Sequence, residues 1–236
     1  MGGVAVVLAG GLGTRLRPLT YTMPKPMLPL GGKPLLERTI EKLKASRIED
    51  IVVATFHLGR VIKHYFGDGS EYGVKITYVR SDKPLGTAGQ LKTVERYVDE
   101  DFIVIYGDVY ADMDYRSLLE WHRRSRGIGT IVLREVKQRL KFGLVKLNEE
   151  GLVMEWVEKP EVGYLVAAGV FAFNRRIFNY IYADRPDSMD KAILRAMEKG
   201  EKVYGYRSNA KFVDVGDIDS YVKVNEEFEA AFGDLA

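Results

Sequence analysis

Short apolar runs alternate with segments of helical spacing through the first half of the chain. Residues 4–8 form an unbroken apolar run between glycines, as a buried parallel strand does, and residues 34–45 repeat apolar positions at helical spacing. The same alternation predicts strands at 51–56, 74–79 and 102–106, and helices at 61–66 and 91–98. Because the connections between successive strands are helical, the pattern predicts a parallel sheet covered by helices.

The pattern changes beyond residue 115, where strand-like segments follow one another with few helices between them. Strands are predicted at 130–136, 143–147, 152–157 and 166–173, and helices at 175–182, 189–199 and 218–231. No long linker rich in proline, glycine or serine divides the chain, so residues 1–236 are expected to form one α/β domain with a mixed second half. The sequence lacks the hexapeptide repeats of a β-helix, so no C-terminal β-helix is expected.

The amino-acid composition argues against several kinds of binding partner and chemistry. The chain has 35 Lys and Arg against 33 Asp and Glu, a net charge of +2, so no global basic field favours nucleic acid or an anionic membrane. It contains no cysteine, which excludes disulfides and thiol chemistry and fits a reducing compartment. No apolar run approaches the roughly 20 residues of a membrane helix. The sequence therefore predicts a soluble, cytoplasmic protein that meets anions only at local sites.

A glycine-rich loop follows the first predicted strand. Gly10, Gly11 and Gly13 lack side chains, so backbone N–H groups there can approach phosphate oxygens. Leu16 breaks the dinucleotide-binding pattern, and no Gly-Lys pair is followed by the serine or threonine of a Walker loop. Glycines alone also fit an ordinary tight turn. Arg15 favours a polyphosphate, because its guanidinium is always charged and can bind phosphate through two hydrogen bonds.

Lys25 lies between two prolines. Pro24 and Pro26 fix their own φ angles near −65°, and Pro26 also restricts Lys25, so this cation stands on a stiff backbone. An extended surface segment would explain the same residues. Catalysis is favoured, because a preorganised cation stabilises negative charge that develops in a transition state.

Two aspartates follow apolar strands. Asp108 ends the predicted strand 102–106 with Gly107 before it, and Asp214 ends an apolar segment before a glycine. In open parallel sheets, ligands bind beyond the carboxyl ends of strands, and Mg²⁺ takes one or two carboxylates together with phosphate oxygens. A turn or helix-capping role is the alternative for each. If both bind one metal, replacing either by asparagine should leave the stability of the metal-free protein unchanged or higher, because like charges repel.

Residues 158–160 form a weaker motif, Glu-Lys-Pro, at the end of a predicted strand. On residue grounds alone, a surface hairpin explains it. The three histidines, His57, His64 and His122, lack metal-ligand spacing and any serine partner, so packing or surface roles are expected.

Five segments in this order resemble the sugar nucleotidyltransferase family, whose members join a nucleoside triphosphate to a sugar 1-phosphate. They are residues 8–16 (LAGGLGTRL), 24–26 (PKP), 107–108 (GD), 158–160 (EKP) and 214–216 (DVG). The resemblance covers nearly the whole chain. It implies a Rossmann-like three-layer α/β/α core with a mixed sheet, in which the second half supplies the sugar pocket. It also implies Mg²⁺ as cofactor and pyrophosphate as the leaving group.

The resemblance assigns roles to individual residues. It implies catalytic roles for Arg15 and Lys25 and a Mg²⁺ site at Asp108 and Asp214. The nucleotide-binding residues that it implies are Leu8, Ala9, Gly10, Gly11, Gly13, Thr14, Gly86 and Thr87. The residues that it implies for the sugar phosphate are Gly107, Gly143, Glu158, Lys159 and Gly169.

The segment 85–89 (LGTAG) resembles the base-recognition segment of mannose-1-phosphate guanylyltransferases, which favours GTP and mannose 1-phosphate. Ser81 and Ala167 depart from the residues usual at their positions in that group. Three alternatives stay open: a thymidylyl- or uridylyltransferase acting on glucose 1-phosphate or another sugar 1-phosphate, an enzyme acting on heptose or muramate 1-phosphate, and a catalytically inactive regulatory subunit. A homo-oligomer is also left open.

Overall fold

A seven-stranded mixed sheet organises the chain. The computed structural model describes residues 3–183 and 185–232. Its strands are β1 (Val4–Ala9), β2 (Pro29–Leu30), β3 (Lys33–Pro34), β4 (Asp50–Thr55), β5 (Lys75–Arg80), β6 (Asp101–Tyr106), β7 (Val109–Ala111), β8 (Gly129–Arg139), β9 (Leu144–Leu147), β10 (Val153–Val157), β11 (Glu161–Asn174), β12 (Val203–Arg207) and β13 (Phe212–Asp214). Its α-helices are α1 (Leu35–Ala45), α2 (Gly59–Phe66), α3 (Gly86–Lys92), α4 (Tyr115–Ser125), α5 (Met189–Glu198) and α6 (Ile218–Phe232).

The main sheet has the strand order β12-β8-β11-β6-β1-β4-β5. Strand β1 pairs in parallel with β4 and with β6, and β4 pairs in parallel with β5. Strand β11 runs antiparallel to both β6 and β8, while β12 is parallel to β8. The first half of the chain therefore supplies the parallel part of the sheet, and the second half makes it mixed, as the sequence predicts.

Helices cover both faces of this sheet because its central strands are apolar on both sides. Alternate residues of β1 and β6, such as Val7 and Ile105, pack into one core with α1, α2 and α4. The intervening residues, such as Val6 and Phe102, pack into a second core with α3 and α5. These two cores and the sheet between them form the three-layer α/β/α arrangement that the resemblance implies.

The predicted helix at 91–98 is wrong in its position. The structure has α3 over Gly86–Lys92 and then one 3-10 turn at Glu95–Tyr97. The apolar residues Leu91, Val94 and Val98 are buried against the sheet, so their helical spacing reflects burial and not a continuous helix. The predicted helix at 175–182 is likewise a 3-10 helix, Arg175–Tyr180.

The sequence prediction of few helices after residue 115 does not include α4, which the structure has at Tyr115–Ser125. Its start could be recognised, because the Asp114 side chain accepts a hydrogen bond from the Arg116 N–H as a helix cap does. Its buried face contains Tyr115, Leu118 and His122. The short strands β7 and β12 also lack a sequence prediction.

Strands β8 and β11 extend beyond the main sheet as a long antiparallel pair, and the β9–β10 hairpin connects them along the chain. Every residue of β9 and β10 is exposed, including Trp156 and Met154. Among the residues that the structure describes, every helix is too short or too polar to cross a lipid bilayer.

Candidate active site

The sheet has a switch point at the carboxyl ends of β1 and β6. Strands β4 and β5 lie on one side of β1, and β6 lies on the other. Leu8 pairs with Tyr106 at the end of this parallel ladder, so the loops after both strands begin side by side. In open α/β sheets such a reversal leaves a crevice between the two loops, and ligands bind there.

The glycine loop lines a first cavity of about 380 Å³ at this crevice. The Gly107 N–H donates to the Leu8 carbonyl at 2.9 Å, which ties the loop after β6 to the end of β1. A Cβ at position 107 would lie 2.9 Å from that carbonyl oxygen, so only glycine fits this close approach. The cavity size falls within the range of small-molecule sites.

Residues 85–90 form the opposite wall of the first cavity. Gly86 has a φ of +71°, which favours glycine, and it turns the chain into α3. The Gln90 side chain is buried, and its carbonyl oxygen accepts from the Gly10 N–H at 3.3 Å. This contact joins the α3 wall directly to the glycine loop.

A second cavity of about 560 Å³ lies beside the first and is lined by both halves of the chain. Tyr106 and Asp108 line both cavities, so the two spaces meet at the end of β6. Burial raises the pKa of the Tyr106 phenol to about 12, with a smaller opposing effect from the Thr87 hydroxyl. The phenol is therefore protonated at neutral pH. Helix α5 forms an apolar wall of the second cavity through Met189 and Ile193.

Asp108 and Asp214 come together although 106 positions separate them in the sequence. Strand β13 pairs antiparallel with β7, which places Asp214 opposite Val109. The Val215 N–H also donates to the Asp108 carbonyl at 3.3 Å. Both carboxylates line the second cavity. The short β7–β13 ladder is thus the element that joins them.

Lys25 forms an ion pair with Asp108, with 2.6 Å between Nζ and Oδ2. The Lys25 side chain is only 11% exposed, and it projects from a 3-10 turn that begins directly after Pro24. Such a buried ammonium needs an anionic partner. The stiff backbone predicted around Lys25 therefore holds the cation against a carboxylate at the junction of the two cavities.

The pKa of Asp214 is raised above its usual value. Although Asp214 is exposed by surface area, surrounding protein atoms remove part of its hydration, and the Asp108 carboxylate adds repulsion. Lys25, Arg134 and Arg15 oppose this shift by stabilising the charged form. The site therefore brings two negative carboxylates together, and the nearby cations offset only part of the cost of their charge.

Magnesium fits the chemistry of this donor set. Mg²⁺ commonly binds one or two protein carboxylates and takes its other ligands from phosphate and water. Asp108 and Asp214 supply two hard oxygen donors on one cavity wall. The described residues hold no group of three or more His, Asp or Glu side chains placed to bind a metal, so phosphate and water would supply the remaining ligands.

Residues 4–231 match the family described as nucleotidyl transferase. The chain belongs to the nucleotidyl transferase family. It is 36% identical over 224 residues to a mannose-1-phosphate guanylyltransferase from Mycobacterium tuberculosis, covering 93% of this chain and 62% of that protein. It is 32% identical over 236 residues to a UTP–glucose-1-phosphate uridylyltransferase from Synechocystis sp., covering 92% and 61%. The chain thus spans less than two thirds of the length of these relatives.

Solved structures share the fold of this nucleotidyl transferase. Two crystal structures of HddC from Yersinia pseudotuberculosis match with TM-scores of 0.76 and 0.73 at 27% identity, covering 96% of this chain and 99% of that chain. The second is a complex with GMP-PN. These similarities confirm the family resemblance and the fold class read from the sequence.

The residues assigned from the sequence fall into three places. Those lining the first cavity are Leu8, Ala9, Gly10, Gly11, Gly13, Thr14, Lys25, Gly86, Thr87, Gly107 and Asp108. Those lining the second cavity are Arg15, Asp108, Gly169 and Asp214. Those lining neither cavity are Gly143, Glu158 and Lys159.

The last group lies together on the hairpin side of the chain. A Cβ at position 143 would lie 2.8 Å from the Trp156 Nε1 and 3.0 Å from the Glu158 Oε2, so these residues lie close together. The Lys159 ammonium is 4.0 Å from the Glu158 carboxylate. The Lys159 side chain is 57% exposed. A contact between Lys159 and the sugar phosphate would therefore require this segment to approach the second cavity, and its role stays a prediction.

Sequence reasoning missed several residues that line the cavities. They are Phe56, Gln90, Tyr106, Arg134 and Asp190. The sequence prediction leaves Gln90 just outside the helix expected at 91–98, although the structure buries it in α3. Arg134 and Asp190 had no usable signal, since each stands among charged residues that are typical of an exposed surface.

The ion pair with Lys25 distinguishes the two aspartates, which the sequence treats alike. Because the pKa of Asp214 is raised in the folded state, the ionised carboxylate destabilises the folded protein at neutral pH. Asp214→Asn should therefore raise the melting temperature of the metal-free protein at pH 7. This gain should disappear below about pH 4, where the carboxyl is protonated in the folded and unfolded states. The measurement is the melting temperature of both proteins between about pH 3.5 and 8, a range that includes the titration of the carboxyl group.

Asp108→Asn should have the opposite effect at pH 7, because it leaves the Lys25 ammonium without its partner. We expect a loss of about 1 kcal/mol, less than for a fully buried pair, since a third of the Asp108 side chain is exposed. Equal stabilisation by both variants would contradict the roles given to the two carboxylates.

Proposed function

We propose that this chain is a sugar-1-phosphate nucleotidyltransferase, which converts a nucleoside triphosphate and a sugar 1-phosphate into a nucleoside diphosphate sugar and pyrophosphate. The observation that carries the proposal is the junction of two cavities at Asp108, with Asp214, Lys25 and Arg15 around it. The glycine loop suits the triphosphate in the first cavity. The second cavity then receives the sugar 1-phosphate.

The reaction at this junction is an in-line displacement. An oxygen of the sugar phosphate attacks the α-phosphorus, the bridging bond to the β-phosphate breaks, and pyrophosphate leaves with the bonding electrons. Lys25 and Arg15 oppose the negative charge that the two phosphates bring together. Mg²⁺ held by Asp108 and Asp214 would supply further neutralisation of phosphate charge when bound. No covalent intermediate with the protein is needed.

GTP and mannose 1-phosphate are the substrates that we propose. Their support is the resemblance of residues 85–89 to a guanylyltransferase segment, together with the mannose-1-phosphate guanylyltransferase among the relatives. The uridylyltransferase relative favours UTP and glucose 1-phosphate as the second candidate. Homo-oligomer formation, a cytoplasmic location and a single domain over residues 1–236 stay predictions.

A substrate panel tests the proposal. The purified chain is incubated with Mg²⁺, each of GTP, UTP, dTTP and ATP, and each of several sugar 1-phosphates, and pyrophosphate release is measured. We expect the highest turnover with GTP and mannose 1-phosphate. A clear preference for UTP or dTTP would refute the choice of substrates but not the reaction. Nucleotide binding without pyrophosphate release from any pair would instead favour the inactive regulatory subunit.

Single substitutions test the two cations at the junction. Arg15→Ala and Lys25→Ala should each lower kcat by about 10² to 10³, the scale for losing a preorganised group that stabilises transition-state charge. Arg124→Ala and Lys63→Ala serve as matched controls, because both residues are exposed on helices and line neither cavity. Losses below about tenfold in folded Arg15 and Lys25 variants would place these residues outside the chemistry.

A further inference from the structure

Arg134 lies on strand β8 where this strand leaves the main sheet. It lines the second cavity together with Arg15, Asp108 and Asp214, and it is only partly exposed. Its charge lies in the same cavity lining as the two carboxylates. Arg134 is therefore a second guanidinium near the carboxylate pair, in addition to Arg15.

Strand β11 is irregular close to Arg134. Strand pairing runs continuously from Arg134–Val166 to Leu133–Ala167 and then jumps to Ile131–Phe171. The extra residues of β11 form a bulge that contains Gly169, with a φ of +72°. Bulges redirect neighbouring side chains and are common beside functional sites. Both Ala167 and Gly169 line the same cavity as Arg134.

No carboxylate in the described ranges 3–183 and 185–232 lies within 4.0 Å of the Arg134 guanidinium as an ion-pair partner. The other partly buried arginines in the described part of the chain have polar partners, and Arg38 donates to the backbone carbonyls of Leu30 and Gly31. Arg195 forms an ion pair with the buried carboxylate of Asp187. Arg134 thus faces a cavity with its hydrogen-bond donors available to a ligand.

We propose that Arg134 binds the phosphate group of the sugar 1-phosphate, an inference that rests on the proposed function. A phosphate entering the second cavity meets three carboxylates, Asp108, Asp190 and Asp214, which repel a dianion. Only Arg15 and Arg134 bring positive charge to the lining of that cavity within the described residues. A planar guanidinium binds phosphate oxygens through two parallel hydrogen bonds, which fixes orientation as well as charge.

This role differs from that of the junction cations. Lys25 is engaged by Asp108 at 2.6 Å where the two cavities meet, and Arg15 lines the second cavity directly after the glycine loop, so both lie at the junction with the triphosphate site. Arg134 comes from the second half of the chain, on the sugar side. It therefore determines binding of the attacking phosphate more than the charge on the transferred phosphoryl group.

Kinetics of Arg134→Gln test the proposal, with the nucleotide and sugar 1-phosphate that give the highest turnover in the unaltered chain. The KM for the sugar 1-phosphate should rise by about 10- to 100-fold, the range for losing hydrogen bonds to a charged group. The KM for the nucleotide should stay within about twofold, because the glycine loop is untouched. Inorganic phosphate should compete with the sugar 1-phosphate in the unaltered chain and compete much less in the variant.

Two further variants separate binding from structure. Arg134→Lys keeps the charge but loses the planar pair of donors, so it should recover only part of the lost affinity. Arg139→Gln is the matched control on the same strand, since Arg139 is exposed and lines neither cavity, and it should leave both KM values unchanged.

Three results would overturn the proposal. One is an unchanged KM for the sugar 1-phosphate in Arg134→Gln. Another is a fall in kcat alone with a changed Mg²⁺ requirement, which would mean that Arg134 acts only through Asp214. The third is an equal rise in both KM values. All of these can be observed while the unaltered chain still turns over, whereas absence of pyrophosphate release in the unaltered chain would reject the proposed function itself.

Discussion

The site depends on one constraint, the proximity of Asp108 and Asp214. Two carboxylates do not approach each other spontaneously, so the backbone must hold them. The β7–β13 ladder does this, and it is itself held by the packing of Val213 with Phe228 of α6 in a small separate core. Loss of hydration, together with the remaining repulsion from Asp108, raises the pKa of Asp214, and Lys25 forms an ion pair with Asp108. A cation with phosphate ligands would complete this arrangement of charges.

The two cavities also share a backbone connection away from these carboxylates. The Met189 N–H, at the start of α5, donates to the Thr87 hydroxyl at 2.8 Å. The Asp187 carbonyl accepts from the N–H groups of Ala88 and Gly89 at 3.1 and 3.2 Å. The start of α3, which lines the first cavity, is therefore bonded to the start of α5, which forms a wall of the second, and to the residue Asp187 just before it. Nucleotide and sugar phosphate would bind to one connected framework, which suits a reaction that depends on positioning.

Much of this arrangement could be predicted from the sequence because it follows from strand order. An apolar run, a glycine loop and a second apolar run ending at Asp108 require a crevice at the carboxyl ends of β1 and β6. The meeting of Asp214 with Asp108 needed the family resemblance, since nothing local brings distant residues together. Arg134 could not be found at all, because the cavity that it lines is built from segments far apart in the sequence. Helix α3 was misplaced because buried loop residues can repeat at helical spacing.

The most direct test of the shared site is the Mg²⁺ dependence of turnover in Asp108→Asn, Asp214→Asn and the double variant, measured with the best substrate pair and compared with the unaltered chain. Both single variants should need more Mg²⁺ for half-maximal activity, by similar factors, because each removes one hard anionic ligand. The double variant should lose less than the product of the single losses, since the two residues act as one unit. Full activity of Asp214→Asn at low Mg²⁺ would contradict the account and leave Asp214 as a residue of the strand end only.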